Sequence, residues 1–262
     1  MKELSIAVYG REFNQSVIGY VVELFTYLRE RNVNVYIHHD FHSFLKRLCK
    51  LDFTFKKFKS HKDLPSDIAF MLSLGGDGTM LSAATLIKDT GIPLAGINFG
   101  RLGFLANISK NHIEDALDQI LSNNYQIQKR ALLQVESSDG TFIKGEDFAL
   151  NDITVFRSDS SAMITVHAVL DDELLNSYWA DGLIIATPTG STAYSLSCGG
   201  PIIMPGSGNF VITPISPHNL NVRPIVVNEN MTLRLEIESR TEKYILSCDS
   251  KSHILSTKTS LT

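Results

Sequence analysis

The sequence predicts an α/β N-terminal domain built on a parallel sheet, followed by a mainly β, sandwich-like domain. Three observations predict it. Strand-like and helix-like periodicities alternate through the first half of the chain. A glycine-rich turn, GGDGT at residues 75–79, follows an almost unbroken apolar run. From Tyr125 onward the pattern changes to short, often alternating segments separated by turn signals such as SSDG and VNEN.

The elements follow in order. LSIAVYG is a strand, and residues 15–31 form a helix whose Ile18, Val21, Val22, Phe25 and Leu28 lie on one stripe. VNVYIH is the next strand, followed by a helix around FHSFLKRLC. The apolar DIAFMLSL suits a strand buried on both faces. After the glycine turn, Thr79 is the expected N-cap of a helix MLSAATLIKD, which ends before Gly91 and Pro93. PLAGIN supplies a further strand, and HIEDALDQILSNN a helix with Ile113, Ala116, Leu117, Ile120 and Leu121 on one face. This alternation describes a Rossmann-like domain over residues 1–124, with right-handed crossovers. Its glycine turn sits after the end of a strand, where open α/β sheets bind ligands.

The second domain is expected over residues 125–262. Its strands are YQIQKRALLQVES, TFIKG, FALNDITVFR, MITVHAVLD, GLIIATP, NFVITPI, RPIVVN, MTLRLEIE and KYILSCD. The final SHILSTKTSLT reads as the middle of a strand.

Composition narrows the function. A chain of 262 residues holds one large domain or two modest ones. A net charge of −4 with 20% charged residues gives no basic face for nucleic acid and no acidic tail. Cys49, Cys198 and Cys248 form no CxxC pair, the pattern of reduced thiols in a cytoplasmic protein. No apolar run reaches the roughly 18 residues of a membrane span, so no membrane partner is expected. The opening MKELSIAVYG is already strand-like, with no secretory signal before it.

Two motifs carry chemistry. GGDGT is neither a P-loop, since no Gly-Lys-Ser/Thr follows, nor a dinucleotide fingerprint, since the glycine spacing differs. A carboxylate in a glycine turn repels phosphate unless it holds a metal ion beside it or takes a proton from an attacking hydroxyl. The plainer alternative is a tight turn in which Asp77 stabilises a helix start. In residues 179–202, the strand LIIATP runs into a loop carrying Thr187, Thr189, Ser191 and Thr192. Ser191 or Thr192 is the expected cap of a short helix AYSLSC, stopped by Gly199, Gly200 and Pro201. Tyr194 offers an aromatic face to a base or ribose, or else fills the core.

Taken together, these motifs resemble those of the NAD kinases, which phosphorylate NAD to NADP with ATP. The resemblance covers both domains through LGGDGTML (74–81), PLAGINFGRLGFLA (93–106), ALNDITV (149–155), DGLIIATPTGSTAYSLSCGGPI (181–202) and TPISPHNLNVRPIVV (213–227). GGDGT alone is shared with diacylglycerol and sphingosine kinases; the 181–202 stretch is far more specific. The resemblance implies Asp77 as the catalytic residue, with Gly76 and Gly78 letting the backbone approach phosphates and dinucleotide. It implies dinucleotide contacts from Phe104, Asn151, Asp152, Asp181, Thr192, Ala193, Tyr194, Ser195 and Ser197. Phe104 is equally readable as a core residue, and Asn151-Asp152 as a turn at a strand start. Asp152 stands where the family usually has Glu, one methylene shorter. His218 matches a family histidine but stays outside the catalytic set.

The resemblance further implies Mg²⁺ with ATP, no metal ligand being assigned directly, and assembly as a homodimer or homotetramer. It also implies a C-terminal return segment onto the first domain, which is missing or truncated in this sequence. A lipid kinase of the same superfamily and a non-catalytic NADP sensor are the competing classes. Against them stand the polar TPTGSTAYSLSCGGP segment (187–201), with no amphipathic membrane-docking stretch, and the intact Asp77. The use of polyphosphate, and the choice between NAD and NADH, are left open by the sequence.

Overall fold

The computed structural model of the protein describes residues 4–49, 53–88, 90–140, 146–160, 162–249 and 251–262. The expected strand TFIKG lies outside the described residues. The chain divides into two compact units, residues 1–127 and 128–262.

The first unit is a parallel sheet of six strands: β1 (Ser5–Gly10), β2 (Asn34–His38), β3 (Lys56–Phe58), β4 (Ile68–Leu74), β5 (Leu94–Asn98) and β6 (Ile108–Ser109). Their order is β3-β2-β1-β4-β5-β6, and every pairing is parallel. Helices α1 (Ile18–Glu30), α2 (His39–Leu48), α3 (Asp77–Ile87) and α4 (Ile113–Leu121) connect them. Phe70, Leu72 and Leu74 of β4 join a core with α1, α2 and α4, including Val21, Leu24, Phe25, Phe41 and Leu117. Ile68 and Met71 face the other way, onto Ala83 and Ile87 of α3. Helices on both faces explain why β4 is apolar throughout. The strand order reverses between β1 and β4. At that switch point the loops leaving neighbouring strands part in opposite directions and open a crevice.

The second unit is a sandwich. It comprises β7 (Leu133–Gln134), β8 (Phe148–Ala149), β9 (Asp152–Arg157), β10 (Ile164–Leu170), β11 (Glu173–Ala180), β12 (Gly182–Ala186), the short helix α5 (Tyr194–Ser197), β13 (Asn209–Ile215), β14 (Ile225–Asn228), β15 (Leu233–Glu238), β16 (Lys243–Cys248) and β17 (Lys251–Ser256). A six-stranded antiparallel sheet, β14-β13-β12-β9-β16-β17, packs against the three-stranded β11-β10-β15. Strand alternation decides the packing. Leu183 and Ile185 of β12 enter the sandwich core beside Val166, Tyr178, Ile237 and Tyr244. Ile184 and Ala186 point to the opposite face, with Val211 and Ile215.

Three sequence expectations are corrected. Most of YQIQKRALLQVES is not strand; within it only Leu133–Gln134 pairs as a named strand, with β8. The last strand does not run off the chain end, for it stops at Ser256 and Leu261 then bridges Ser137 and Leu235. The helix after the glycine turn begins at Asp77 with Gly76 as N-cap, so Thr79 lies buried inside it. Gly76 has the extended backbone a cap requires, which moves the start ahead of Thr79. Among the described residues, no helix is long and apolar enough to cross a membrane.

Candidate functional site

In the first unit, β4 delivers the glycine turn to the switch point. Gly75 has φ +148°, and a Cβ there would lie 2.3 Å from Thr79 Oγ1, so only glycine fits. At Gly76 and Gly78 a Cβ would meet nothing within 4 Å. Among the described residues nothing demands glycine there, and the turn is left bare on its outer side.

Asp77, the first residue of α3, turns its carboxylate onto the GRLGFLA loop. Oδ2 accepts the Phe104 N–H at 2.8 Å, and Oδ1 accepts those of Leu105 and Ala106 at 3.1 and 2.9 Å. A Cβ on Gly103 would lie 2.2 Å from Oδ1, which fixes glycine at that position. Phe104 itself is 72% exposed, so the reading of it as a core residue is excluded.

A cavity of about 370 Å³ opens at the switch point, lined by Arg11 and Phe13 after β1, Gly75 and Gly76 after β4, and Asn98 and Arg101 after β5. Buried Asn98 shapes the last of these loops, accepting from Gly100 N at 2.8 Å and donating to Arg101 O at 2.8 Å. Arg11 donates to Ser82 Oγ at 2.6 Å. The sequence reading missed Arg11, Asn98 and Arg101. The signals for them were a polar or cationic residue at the carboxyl end of an otherwise apolar strand and, for Asn98 and Arg101, their place in the PLAGINFGRLGFLA stretch.

In the second unit, the loop before β9 and the hydroxyl-rich loop after β12 interlock. Thr187 N donates to Asn151 O at 2.9 Å, Thr187 Oγ1 donates to Leu150 O at 2.6 Å, and Gly190 N donates to Thr187 Oγ1 at 3.1 Å. A Cβ on Gly190 would fall 2.0 Å from Asn151 O. Arg130, also unforeseen, donates to Thr189 Oγ1 at 3.3 Å. Asp152 is buried and accepts from Thr154 Oγ1 at 3.0 Å. Burial raises its pKa to about 6, opposed by the Thr154 bond and assisted by the charge of Asp249.

Neither Ser191 nor Thr192 caps α5. Ser191 Oγ donates to Pro188 O at 2.7 Å and accepts from Ile203 N at 2.9 Å; Thr192 Oγ1 donates to Thr189 O at 3.2 Å. A single 3-10 turn over Gly190–Thr192 intervenes, and it takes up both hydroxyls before the helix begins. Ser195 is fully buried, its hydroxyl 2.8 Å from that of Thr213. Tyr194 and Ser197 are exposed, while Thr192 and Ala193 are half-buried. A core role for Tyr194 is thereby excluded. Asp181 is ion-paired with Arg157 at 3.0 Å. His218 lies against Trp179, their ring centroids 4.1 Å apart.

A parallel-sheet unit with a bare glycine turn at its switch point, followed by a sandwich with a hydroxyl-rich turn, is the arrangement of a nucleotide-handling kinase. The comparisons narrow that class. Residues 6–125 match the ATP-NAD kinase N-terminal domain and residues 150–261 the ATP-NAD kinase C-terminal domain. An NAD kinase of Flavobacterium psychrophilum is 47% identical over 249 residues, covering 95% of this chain and 85% of the relative. The crystal structure of yeast NADH kinase complexed with NADH superposes with a TM-score of 0.87 at 25% identity, over 99% of this chain and 77% of that one. An NAD kinase from Archaeoglobus fulgidus in complex with ATP gives 0.73 at 25% identity, over 98% and 89%. The chain belongs to the NAD kinase family.

Proposed function

We propose that this protein transfers the terminal phosphate of ATP to the 2′-hydroxyl of the adenosine ribose of NAD, giving NADP and ADP. The observation that carries the proposal is the bare glycine turn at the switch point, beside a cavity flanked by Arg11 and Arg101. Exposed backbone N–H groups, a helix start and two guanidinium groups are what a triphosphate requires. The relatives named above, one bound to NADH and one to ATP, support the choice of substrates.

In the reaction, the ribose 2′-oxygen forms a bond to the terminal phosphorus while the bond from that phosphorus to the ADP oxygen breaks. The hydroxyl proton must leave, and Asp77 is the group proposed to take it. An ionised carboxylate has about four acceptor positions, and the loop N–H groups occupy three of those on Asp77. The one remaining, on Oδ2, can receive a hydroxyl. The three N–H bonds also hold the carboxylate rigid, which suits a reaction in which positioning supplies much of the rate.

Gly76, Gly78 and Phe104 are proposed as ligand contacts of the first unit. Asn151, Asp152, Asp181, Thr192, Ala193, Tyr194, Ser195 and Ser197 are proposed for the dinucleotide. Tyr194 and Ser197 contribute through exposed groups, whereas Ser195 and Asp181 contribute by holding the segments around them. Mg²⁺ is proposed to arrive with ATP. Among the described residues no group of three or more His, Cys, Asp and Glu is placed to hold a metal ion. Magnesium commonly binds through substrate phosphates and water with few protein ligands.

A division of labour at residue 124/125 and assembly as a homodimer or homotetramer complete the reading, together with a cytoplasmic location supported by three free cysteines. Light scattering tests the assembly. The activity is tested by supplying NAD or NADH with ATP or polyphosphate and measuring NADP and NADPH. Product from the ATP and NAD pair is the expected result, and none from any pair would refute the reading.

A further inference from the structure

The Leu150–Asp152 backbone is held on its donor side by one side chain. Asp249 Oδ2 accepts the Leu150 N–H at 2.9 Å, and Oδ1 accepts those of Asn151 and Asp152 at 2.8 and 3.2 Å. In return, Asp249 N donates to Asp152 O at 2.9 Å. Asp249 occupies the turn between β16 and β17 with φ 51°, a left-handed conformation that Asp tolerates better than most residues. Ser247 Oγ donates to Asp249 O at 3.2 Å and braces that turn. On the acceptor side, the Leu150 and Asn151 carbonyls are taken by Thr187. Every peptide group on either side of the Asn151 side chain is therefore fixed, and its direction is set by that backbone. Three successive N–H groups converging on one carboxylate form charge-assisted bonds, stronger than bonds to a neutral acceptor.

We propose that Asp249 is a positioning residue of the dinucleotide site. It fixes the 150–152 backbone and so aims the Asn151 and Asp152 side chains at NAD. The inference rests on the function proposed above, and it adds a residue 97 positions beyond Asp152 that acts through the backbone it holds.

The test compares steady-state kinetics and thermal midpoints of the wild type, Asp249→Asn and Asp249→Glu. An Asn amide keeps one acceptor oxygen but turns an N–H group toward donors, so the segment loosens. The KM for NAD is expected to rise by about tenfold or more, the loss of one or two such hydrogen bonds, in Asp249→Asn. The KM for ATP should stay within about twofold and kcat within about threefold, the signature of lost binding rather than lost chemistry. Asp249→Glu, which keeps the charge, should fall between the two. An unchanged KM for NAD in a folded variant, or parallel rises for NAD and ATP, would overturn the proposal. So would failure of both variants to fold, because Asp249 would then serve the sheet and not the site. Should only one variant fold, its ratio of KM values decides. Wild-type turnover measured alongside separates the two readings: no NADP from the wild type sinks the proposed function, while an active wild type with an unmoved variant sinks this inference alone.

Discussion

At the scale of single residues, two aspartates act on backbone. Asp77 gathers the N–H groups of 104–106, and Asp249 gathers those of 150–152. Gly103 exists in its form because Asp77 approaches it so closely. Gly103→Ala, placing Cβ 2.2 Å from Oδ1, should destabilise by about 1–3 kcal/mol, the usual cost of overpacking. Urea unfolding measures this, and an unchanged midpoint would mean that the loop does not close on Asp77. Asp152 permits a pH test. Its folded pKa of about 6 lies above the ordinary value of 3.8, so the fold favours the neutral acid. No penalty exists below about pH 4; it grows as pH rises to about 6 and is constant above. Asp152→Asn, which cannot ionise, should therefore gain stability relative to wild type across that window, on the order of 3 kcal/mol at most. Thermal unfolding of both proteins at pH 4 and 7.5 checks the sign, and a gap that fails to widen contradicts it.

At the scale of elements, legibility followed the range of the interactions. The apolar β4, the stripe of α1 and the glycine turn were readable because their causes lie within a few residues. The two-residue β6 and the edge strand β3, with two lysines among its three residues, show too little periodicity to be read. Residues 125–137 alternate as a strand should, yet only Leu133–Gln134 finds a partner there as a named strand, so pattern without pairing misled. The clamps of Asp77 and Asp249 were illegible, since their partners lie 27–29 and 97–99 residues away. Conversely, the segment after β12 was located by its hydroxyls, although most of these serve the loop itself. Tyr194, at 44% exposure, is the free aromatic face of α5. Tyr194→Ala should cost about 0.5–1.5 kcal/mol of NAD affinity through lost stacking and leave ATP affinity unchanged. Calorimetry with each nucleotide decides, and equal losses would remove Tyr194 from the dinucleotide site.

At the scale of the whole molecule, each unit brings a different chemical capacity. The parallel sheet presents a bare glycine turn with one carboxylate held by three N–H groups. The sandwich presents two interlocked loops, with the Tyr194 ring exposed beside them as the proposed dinucleotide contact. Family membership follows from matches over both units, and the proposed phosphoryl transfer centres on Asp77. The most direct measurement is an NADP-specific coupled assay with ATP and NAD, run on the wild type and on folded Asp77→Asn at matched concentration. The wild type should accumulate NADP, and the variant should lose roughly 10²–10⁴-fold in kcat, the range for a missing general base. Near-normal turnover by Asp77→Asn would contradict the account, leaving Asp77 as no more than the anchor of its loop.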